Sequence, residues 1–327
     1  SPKPLDDVTG SWTECSPNTI KKFSAVAYFF GRDLYQKLNV PIGLISSSWG
    51  GTKAEAWTSQ QVLEENPDFL SLLENDAKNE KGYQEKLENY YSNLRTEKIA
   101  NNNDLIKSEL KKPKKEENKT SYVLYNAMLH PLINYTIKGA IWYQGESNAE
   151  QAFLYRSLFP AMVKNWRNDW QQGDFPFYYV QIAPHKSQNP DIREAQLMSL
   201  KTIPNSGMVV TTDVGNATNI HPIDKQTVGH RLALIARAKT YNENKLVYSG
   251  PIYNQKKKKK DHIQLFFDYA DSGLVKTGDV LKEFEIAGDD KKFFPADAKI
   301  DGKTIIVSSK EVKKPVAVRF AWKAIPE

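Results

Sequence analysis

The sequence predicts an α/β fold built on a parallel sheet that helices cover on both faces. Four short apolar runs each end in a polar loop, and helical patterns lie between them. Continuous apolar strands are typical of parallel sheets, which are buried on both faces. Such sheets bind ligands at the carboxyl ends of their strands, which is where these polar loops fall.

The elements follow from local patterns, taken in chain order. Ser16 and Pro17 form a helix start, and apolar residues then recur every three or four positions up to Leu38. The predicted strands are residues 40–46, 137–143, 175–182 and 207–212. The predicted helices between them are residues 149–166, 193–201 and 225–241. This alternation of strand and helix favours a parallel arrangement.

Two segments depart from the alternation. Residues 60–120 are dense in Glu, Lys and Asn and carry an apolar stripe at Tyr83, Leu87, Tyr90 and Leu94, which predicts a surface helical insertion ending in a mobile lysine-rich loop. From residue 247 the pattern changes to short alternating strands with a hairpin turn at Asp301-Gly302. We therefore expect an α/β domain at 1–246 and a small β-sandwich-like module at 247–327.

Charge and composition exclude several classes of protein. Five of the charges behind the net +6 come from Lys256 to Lys260, so the basicity is local, and this tract and the lysines at 111–115 are interpreted as solvated loops. We predict no nucleic-acid partner. The one cysteine forms no intrachain disulfide, and no apolar run reaches the roughly eighteen residues of a membrane span. Neither a metal-ligand spacing nor a nucleotide-binding motif is present, so no cofactor is implied.

Among the five histidines, His221 has the position expected of a catalyst. It lies in a loop that leaves a predicted strand and enters a helix, so its ring can border the crevice and act as a general base. His185, which also ends a strand, is the second choice. Serine-based acyl transfer is the remaining chemistry, and Gly50 and Gly51 would let backbone N–H groups approach a substrate. A simple tight turn explains the same glycines equally well.

Several motifs together resemble one known family. They are the runs at 41–52, 55–57, 124–128, 139–149, 166–167, 175–181, 193–196 and 220–222, of which Trp-Tyr-Gln-Gly-Glu-Ser-Asn at 142–148 is the most specific. They resemble the sialate O-acetylesterases, serine hydrolases of the type called SGNH or GDSL-like. The resemblance implies a flavodoxin-like three-layer α/β/α hydrolase that removes O-acetyl groups from sialic acids or related sugars, without metal or nucleotide. It also implies an exported protein, periplasmic or secreted.

The resemblance assigns roles to individual residues. His221 corresponds to the catalytic base and Gly51 to the glycine whose amide stabilises the oxyanion. Gln144, Glu146 and Asn148 correspond to the polar support of the oxyanion site. The residues expected to face the sugar are Trp142, Arg193 and Gln196.

Two features depart from the family pattern. The family nucleophile lies in a Gly-Gln-Ser-Asn block on the first strand, and this sequence has no such block. The comparison leaves open a companion N-terminal polypeptide that stays bound, a segment outside the ordered part, or an inactive remnant, while Ser147 is a weaker substitute. The acid that orients the histidine also departs from the family pattern, because Thr218 and Asn219 stand where relatives carry aspartate. Asp213 or a backbone carbonyl is expected to take that role.

A function from another class fits the same motifs. A non-catalytic carbohydrate-binding protein would use aromatic side chains to stack on sugar rings, and Trp49, Trp57, Trp142 and Tyr143 are the candidates. Ester turnover by the intact gene product distinguishes the two functions.

Overall fold

The computed structural model describes residues 1–100 and 111–327. The α-helices are α1 (Ala25–Leu38), α2 (Gln60–Glu65), α3 (Leu70–Ala100), α4 (Ala152–Trp170), α5 (Pro190–Thr202) and α6 (Lys225–Lys239). The strands are β1 (Ala140–Tyr143), β2 (Phe177–Val180), β3 (Ser206–Val209), β4 (Ile252–Lys258), β5 (His262–Asp268), β6 (Phe284–Ala287), β7 (Phe293–Pro295), β8 (Asp297–Asp301), β9 (Thr304–Ser308) and β10 (Ala317–Phe320).

A parallel sheet forms the centre of the molecule, as the sequence predicts. Strand β2 lies between β1 and β3, and both pairings are parallel. Successive side chains of a strand point to opposite faces, so Phe177 and Tyr179 enter the core under α4 and α5 while Tyr178 and Val180 enter the core under α1 and α6. The sheet therefore has a helical layer on each face, which confirms the predicted α/β fold.

The N-terminal part differs from the prediction in two places. Helix α1 begins at Ala25 rather than at Ser16, because Ser24 is the residue that caps it, accepting a hydrogen bond from the Ala27 N–H at 3.3 Å. Residues 40–46 form no strand. Leu44 packs against α1 at Gly31, but the backbone of this segment pairs with no strand of the described chain. Some of its apolar side chains, such as Ile42, pack on the core although its backbone pairs with no strand of the described chain.

The predicted insertion is helical where the structure describes it. Helix α3 carries the expected stripe, with Tyr83, Leu87, Tyr90 and Leu94 partly buried and their neighbours exposed. The lysine-rich segment from Lys111 to Lys115 is an exposed loop, and Lys115 pairs with Glu80 at 2.6 Å. Residues 101–110 of the predicted insertion lie outside the described residues.

The C-terminal strands form two antiparallel sheets around a shared core. One sheet has the order β10-β6-β7 and the other β4-β5-β9-β8, and both contribute buried residues such as Ile286 and Val307. The Asp301-Gly302 hairpin is confirmed, with β8 and β9 paired on either side of it. No helix of the described chain combines the length and the apolar character that crossing a bilayer needs.

The interpretation of the lysine tract as a loop is wrong, because its first part belongs to strand β4. Lys256 and Lys258 pair with Leu265 and Ile263 of β5, which point into the core. The two lysines lie opposite these partners on an edge strand, and both remain exposed. Charges at such positions keep an edge from pairing with other chains.

A glycine permits the close packing of α1 against α6. A Cβ added at Gly229 would lie 2.8 Å from both the Val26 carbonyl oxygen and the Phe30 backbone nitrogen. We expect Gly229→Ala to lower the free energy of unfolding in urea by about 1–3 kcal/mol, because backbone atoms must move. Gly82→Ala on α3 is the control, since a Cβ there meets nothing within 4 Å. The control should gain about 0.5–1 kcal/mol, and equal stability of the two variants would contradict the packing argument.

Candidate functional site

A tight turn follows the extended segment 40–46. The Thr52 hydroxyl closes the turn by donating to the Trp49 carbonyl at 2.7 Å. Gly51 has φ +72°, a conformation that favours glycine, and the space beside its Cα is open. In the described part of the chain, the Gly51 N–H donates to no protein group. This N–H remains able to bind a ligand oxygen.

A second turn begins where β1 ends. Gly145 has φ +154°, and a Cβ there would lie 2.7 Å from Ile182 and 2.8 Å from the Gln196 side chain. Only glycine fits both the backbone and the space. The chain then enters a short 3₁₀ helix, Glu146–Gln151, which contains two of the polar residues that the sequence assigns to the site, Glu146 and Asn148.

The Asn148 side chain joins this second turn to the chain that follows the first. Its Oδ1 accepts hydrogen bonds from the Ala54 N–H at 2.9 Å and from Gln144 Nε2 at 2.6 Å. Its Nδ2 donates to Glu55 Oε2 at 2.9 Å, and the residue is 1% exposed. The two loops are therefore held at a fixed separation by buried hydrogen bonds.

Gln144 extends the same network to the helical layer. Its Nε2 also donates to the Thr52 carbonyl at 3.1 Å, and its Oε1 accepts from the Tyr155 hydroxyl at 3.2 Å. Gln144 and Asn148 thus bring the Gly51 turn and the β1 turn together, as the sequence predicts, but their amide groups are bound to the protein. They hold the two turns together and have no free amide group to offer a ligand.

Glu55, the carboxylate at the centre of this network, is not among the site residues predicted from the sequence. It is buried, and burial raises its pKa, while the hydrogen bond from Asn148 and the charge of Lys53 oppose that change. Glu55 lies in one of the motifs that carry the family resemblance, but the motif alone does not indicate what the residue does. Its hydrogen bond with Asn148 depends on the tertiary fold.

Glu146 lies beside the network but belongs to a different group of side chains. Burial raises the pKa of its carboxyl, and the nearby His221 and Lys225 oppose that change. Lys225 Nζ lies 5.2 Å from the centre of the Tyr143 ring, which places the start of α6 over the end of β1. This contact brings the start of α6, four residues after His221, to the end of β1, although α6 follows β3, which is not a neighbour of β1 in the sheet.

The loop that carries His221 is folded by its own asparagines. Asn216 Oδ1 accepts from the backbone N–H groups of Thr218 and Asn219 at 2.9 Å each. Asn219 Oδ1 then accepts the His221 N–H at 3.0 Å. The His221 side chain is exposed, so its imidazole is accessible to a substrate.

Asp213 does not orient His221. Its two carboxylate oxygens accept from Arg231 Nη1 and Nη2 at 2.7 and 2.5 Å, and this hydrogen bonding lowers the pKa of Asp213. A bidentate pair with arginine occupies both oxygens. The expectation that Asp213 serves the histidine is therefore corrected.

The three residues expected to face the sugar have other contacts. Trp142 packs edge-on between Trp57 and Trp166, at centroid distances of 5.9 and 5.5 Å, within the core under α4. Arg193 is buried and donates to the backbone carbonyls of Lys323 and Ala324, so it ties α5 to the end of the chain.

Gln196, the third of these residues, is also structural. Its Oε1 accepts the Ile182 N–H at 2.9 Å, and its Nε2 donates to the carbonyl oxygens of Gln144 at 3.0 Å and Val180 at 3.3 Å. The amide thus joins the ends of β1 and β2. The assignment of Trp142, Arg193 and Gln196 to substrate contact is corrected.

The remaining histidines have protein partners. His185, the second choice, is buried and its Nδ1 accepts the Ser187 N–H at 3.1 Å. The Nδ1 atoms of His130, His230 and His262 lie within 2.9 Å of an oxygen of Leu5, Asp33 and Asp261, respectively. Within residues 1–100 and 111–327, no group of three or more His, Cys, Asp or Glu residues is arranged to hold a metal ion.

Comparison with known proteins relates this architecture to carbohydrate esterases. Residues 117–237 match the family model described as a carbohydrate esterase, sialic acid-specific acetylesterase. The chain is 32% identical over 363 aligned positions to the mouse sialate O-acetylesterase, covering 100% of this chain and 65% of the mouse protein. For the human protein of the same name the identity is 35%, over 71% of this chain and 42% of the relative.

A solved structure gives the same result. The crystal structure of a novel carbohydrate acetylesterase from Xanthomonas citri is 35% identical and superposes with a TM-score of 0.80, covering 100% of this chain and 66% of that one. The alignments cover slightly less than two thirds of the mouse protein and of the Xanthomonas protein. The family resemblance predicted from the motifs is confirmed.

The role of Asn148 can be tested through stability. We expect Asn148→Leu to lower the free energy of unfolding by about 2–4 kcal/mol, because the Ala54 N–H and the Glu55 carboxylate lose their partner in the interior. Adding Glu55→Gln should recover part of that loss by removing the buried charge. Asn89→Leu on the exposed face of α3 is the control and should be nearly neutral. Urea unfolding of the parent, the control, Asn148→Leu, Glu55→Gln and the double variant gives the comparison, and additive effects of the two single changes would contradict the network.

Proposed function

Because this chain belongs to the sialate O-acetylesterase family, we propose that its parent protein is a carboxylic ester hydrolase that removes O-acetyl groups from sialic acid or a related acetylated sugar. Two observations support this proposal. Buried hydrogen bonds join the Gly51 turn to the turn after β1, and the contact of Lys225 with Tyr143 brings the start of α6, just after the His221 loop, to the end of β1. Ligands of parallel α/β sheets bind at the carboxyl ends of the strands.

The chemistry proposed for these turns is acyl transfer. A serine hydroxyl attacks the acetyl carbonyl carbon while His221 takes its proton, and the Gly51 N–H donates to the oxyanion that forms. His221 then gives the proton to the sugar oxygen as the C–O bond breaks. In the second half, His221 takes a proton from the water that attacks the acetyl-enzyme, and it returns this proton to the serine oxygen as the acyl C–O bond breaks and acetate leaves.

We propose that a segment outside these 327 residues supplies that serine. Strand β1 pairs with β2 alone, so within the described chain its other edge has no strand partner. Ile141 of β1 and Ile42 of the extended segment pack on the same core under α6. A strand added to the free edge in parallel would end beside Gly51 and His221, and it would also pair the exposed backbone groups of β1.

The rival function, sugar binding without catalysis, loses two of its four proposed aromatic contacts. Trp57 and Trp142 pack into the core, and Lys225 lies against the Tyr143 ring. Trp49 alone keeps a largely free surface, being 54% exposed. The position of His221 has no use in a binding protein, so the esterase is the stronger candidate.

Replacement of the proposed base gives a direct test. We expect His221→Ala in the intact gene product to lower kcat/KM for 4-nitrophenyl acetate and for O-acetylated sialic acid by about a hundredfold or more, as loss of a general base does. His262→Ala, in the C-terminal strands, should leave both rates unchanged. If His221→Ala keeps activity within about threefold, the esterase site is wrong, and glycan binding without turnover would favour the rival.

The position of the nucleophile has its own test. A serine-reactive fluorophosphonate should label the intact gene product on a peptide outside these 327 residues, and mass spectrometry of the digest identifies that peptide. Ser147→Ala should not change the labelling. A label on Ser147 itself would overturn the proposal that another segment carries the nucleophile.

A further inference from the structure

The four-stranded sheet in the C-terminal part has one face that lies away from the core. Ile263 and Leu265 of β5 and Val307 of β9 are buried in the core shared with the other antiparallel sheet. Successive side chains of a strand point to opposite faces, so the residues between them form a second face, called the outer face below. Its members are Gln255 and Lys257 on β4, Gln264 and Phe266 on β5, Thr304 and Ile306 on β9, and Lys299 and Asp301 on β8.

The strand register aligns the outer face in rows. One row crosses all four strands and consists of Lys257, Gln264, Ile306 and Lys299. Both lysines are exposed, and Gln264 is held in place because its Nε2 donates to the Thr304 hydroxyl at 3.0 Å. Neighbouring strands lie about 4.8 Å apart, so the backbones of the two lysines are about 14 Å apart. The row therefore has a positive charge at each end and an ordered amide between them.

A dense positive charge borders the outer face. The lysine tract, Lys256 to Lys260, forms the end of β4 and the turn after it, and all five residues are exposed. Lys256 donates to the Val316 carbonyl at 2.7 Å. Among residues 1–100 and 111–327, the ion pairs in this part of the chain involve other lysines, namely Lys282, Lys303 and Lys323. Like charges in a row repel one another, so the tract favours a bound polyanion.

The outer face lacks the side chain that most often recognises phosphate. Arg319 is the only arginine among residues 247–327. Its guanidinium donates to both carboxylate oxygens of Glu285, at 2.7 and 3.2 Å, so it is already paired within the protein. Nucleic acids and other phosphate ligands are usually bound by the planar fork of arginine. The positive charge of this surface, which comes from lysine, is therefore better suited to isolated carboxylates.

The remaining side chains of the outer face can contact the rings and hydroxyl groups of a sugar. Gln255 and Gln264 offer amide donors and acceptors, and Thr304 offers a hydroxyl. Phe266 is half-buried between its neighbours on the sheet and belongs to no core cluster of the described residues, so part of its ring is accessible. An aromatic ring gives the C–H face of a sugar an apolar surface, while the neighbouring amides bind its hydroxyls.

We propose that the outer face and the lysine tract together bind an acidic glycan, a chain of sugars that carries carboxylates. The choice of a glycan among polyanions rests on the proposed function, since an enzyme that deacetylates sialic acids acts on a carboxylated sugar. Lys257 and Lys299 pair with carboxylates at the two ends of the row, and Gln264 and Phe266 contact the sugar rings between them. The surface holds a polymeric substrate and takes no part in acyl transfer.

Binding of polysialic acid to the intact gene product tests the proposal. In about 0.15 M salt, where distant charges are screened, we expect the double variant Lys257→Glu/Lys299→Glu to raise Kd about tenfold or more, because two attractions become repulsions. Lys81→Glu/Lys86→Glu, at exposed positions of α3, carries the same change in net charge and should keep Kd within about twofold. An equal loss in both proteins would show that net charge alone governs binding and would overturn the proposal.

A second variant tests the part of the outer face that carries no charge. Phe266→Leu keeps an apolar side chain and removes the ring, so we expect Kd for polysialic acid to rise about threefold or more. Thermal unfolding checks that the variant is folded, and Gln255→Ala, at the exposed end of the same row, replaces it if it is not. An unchanged Kd in the folded variant would contradict the role of the outer face.

Other polyanions provide the alternatives. The same measurement is made with duplex DNA and with vesicles containing phosphatidylserine. We expect both to bind the parent more weakly than polysialic acid does. Tighter binding of either would assign the surface to a nucleic acid or a membrane instead. If the parent binds none of the three, the lysines serve only to protect the edge of the sheet, and the proposal is wrong.

Esterase assays separate this proposal from the proposed function. We expect Lys257→Glu/Lys299→Glu to keep the parent kcat/KM for 4-nitrophenyl acetate and for monomeric O-acetylated sialic acid, and to raise KM only for O-acetylated polysialic acid. An equal rise in KM for the monomer would contradict a surface that holds the polymer. If the parent hydrolyses no acetyl ester, the proposed function fails, while the binding measurements, which need no turnover, still decide whether the glycan surface exists.

Discussion

The geometry of the site depends on one buried amide. The Asn148 side chain accepts from the Ala54 N–H and donates to Glu55, so a residue following β1 determines where the chain runs after the Gly51 turn. The interaction is strong because the interior offers these groups no water as an alternative partner. Without this amide, two loops from different parts of the chain would be held less firmly relative to each other. The relative position of the two loops is thus a consequence of satisfying polar groups in the core.

The sheet adds a second constraint, which acts from one side. Strand β2 is paired on both edges and buried on both faces, whereas β1 has a partner on one edge only. An unpaired edge next to an apolar core is costly in solution, and proteins usually cover or charge such edges. The C-terminal sheet follows that rule with exposed lysines along its edge strand β4. Strand β1 has no such protection, which is the structural basis for proposing an added strand there.

The predictions that succeeded rest on local patterns, and those that failed required knowledge of partners. Phe177 and Tyr179 belong to a continuous apolar run, and such a run predicts a central strand whatever surrounds it. Residues 40–46 have the same character but lack a strand to pair with, and no sequence pattern reports that. The prediction of a loop for the lysines of β4 failed for the opposite reason, because pairing with β5 makes a strand of a tract whose side chains favour solvent. The same distinction applies to the site residues. The turn of Gly51 was predictable from the local sequence, whereas the pairing of Asp213 with Arg231 was not.

Hydrogen-bonding capacity distinguishes the residues that act from those that support them. Gln196 and Arg193 carry the family resemblance as clearly as His221 does, yet their polar atoms are bound to backbone carbonyls in the interior. A group that is already satisfied cannot bind substrate without breaking a buried interaction, which costs about 1–3 kcal/mol. The N–H of Gly51 and the exposed imidazole of His221 carry no such obligation in the described chain, so both groups remain available to a ligand.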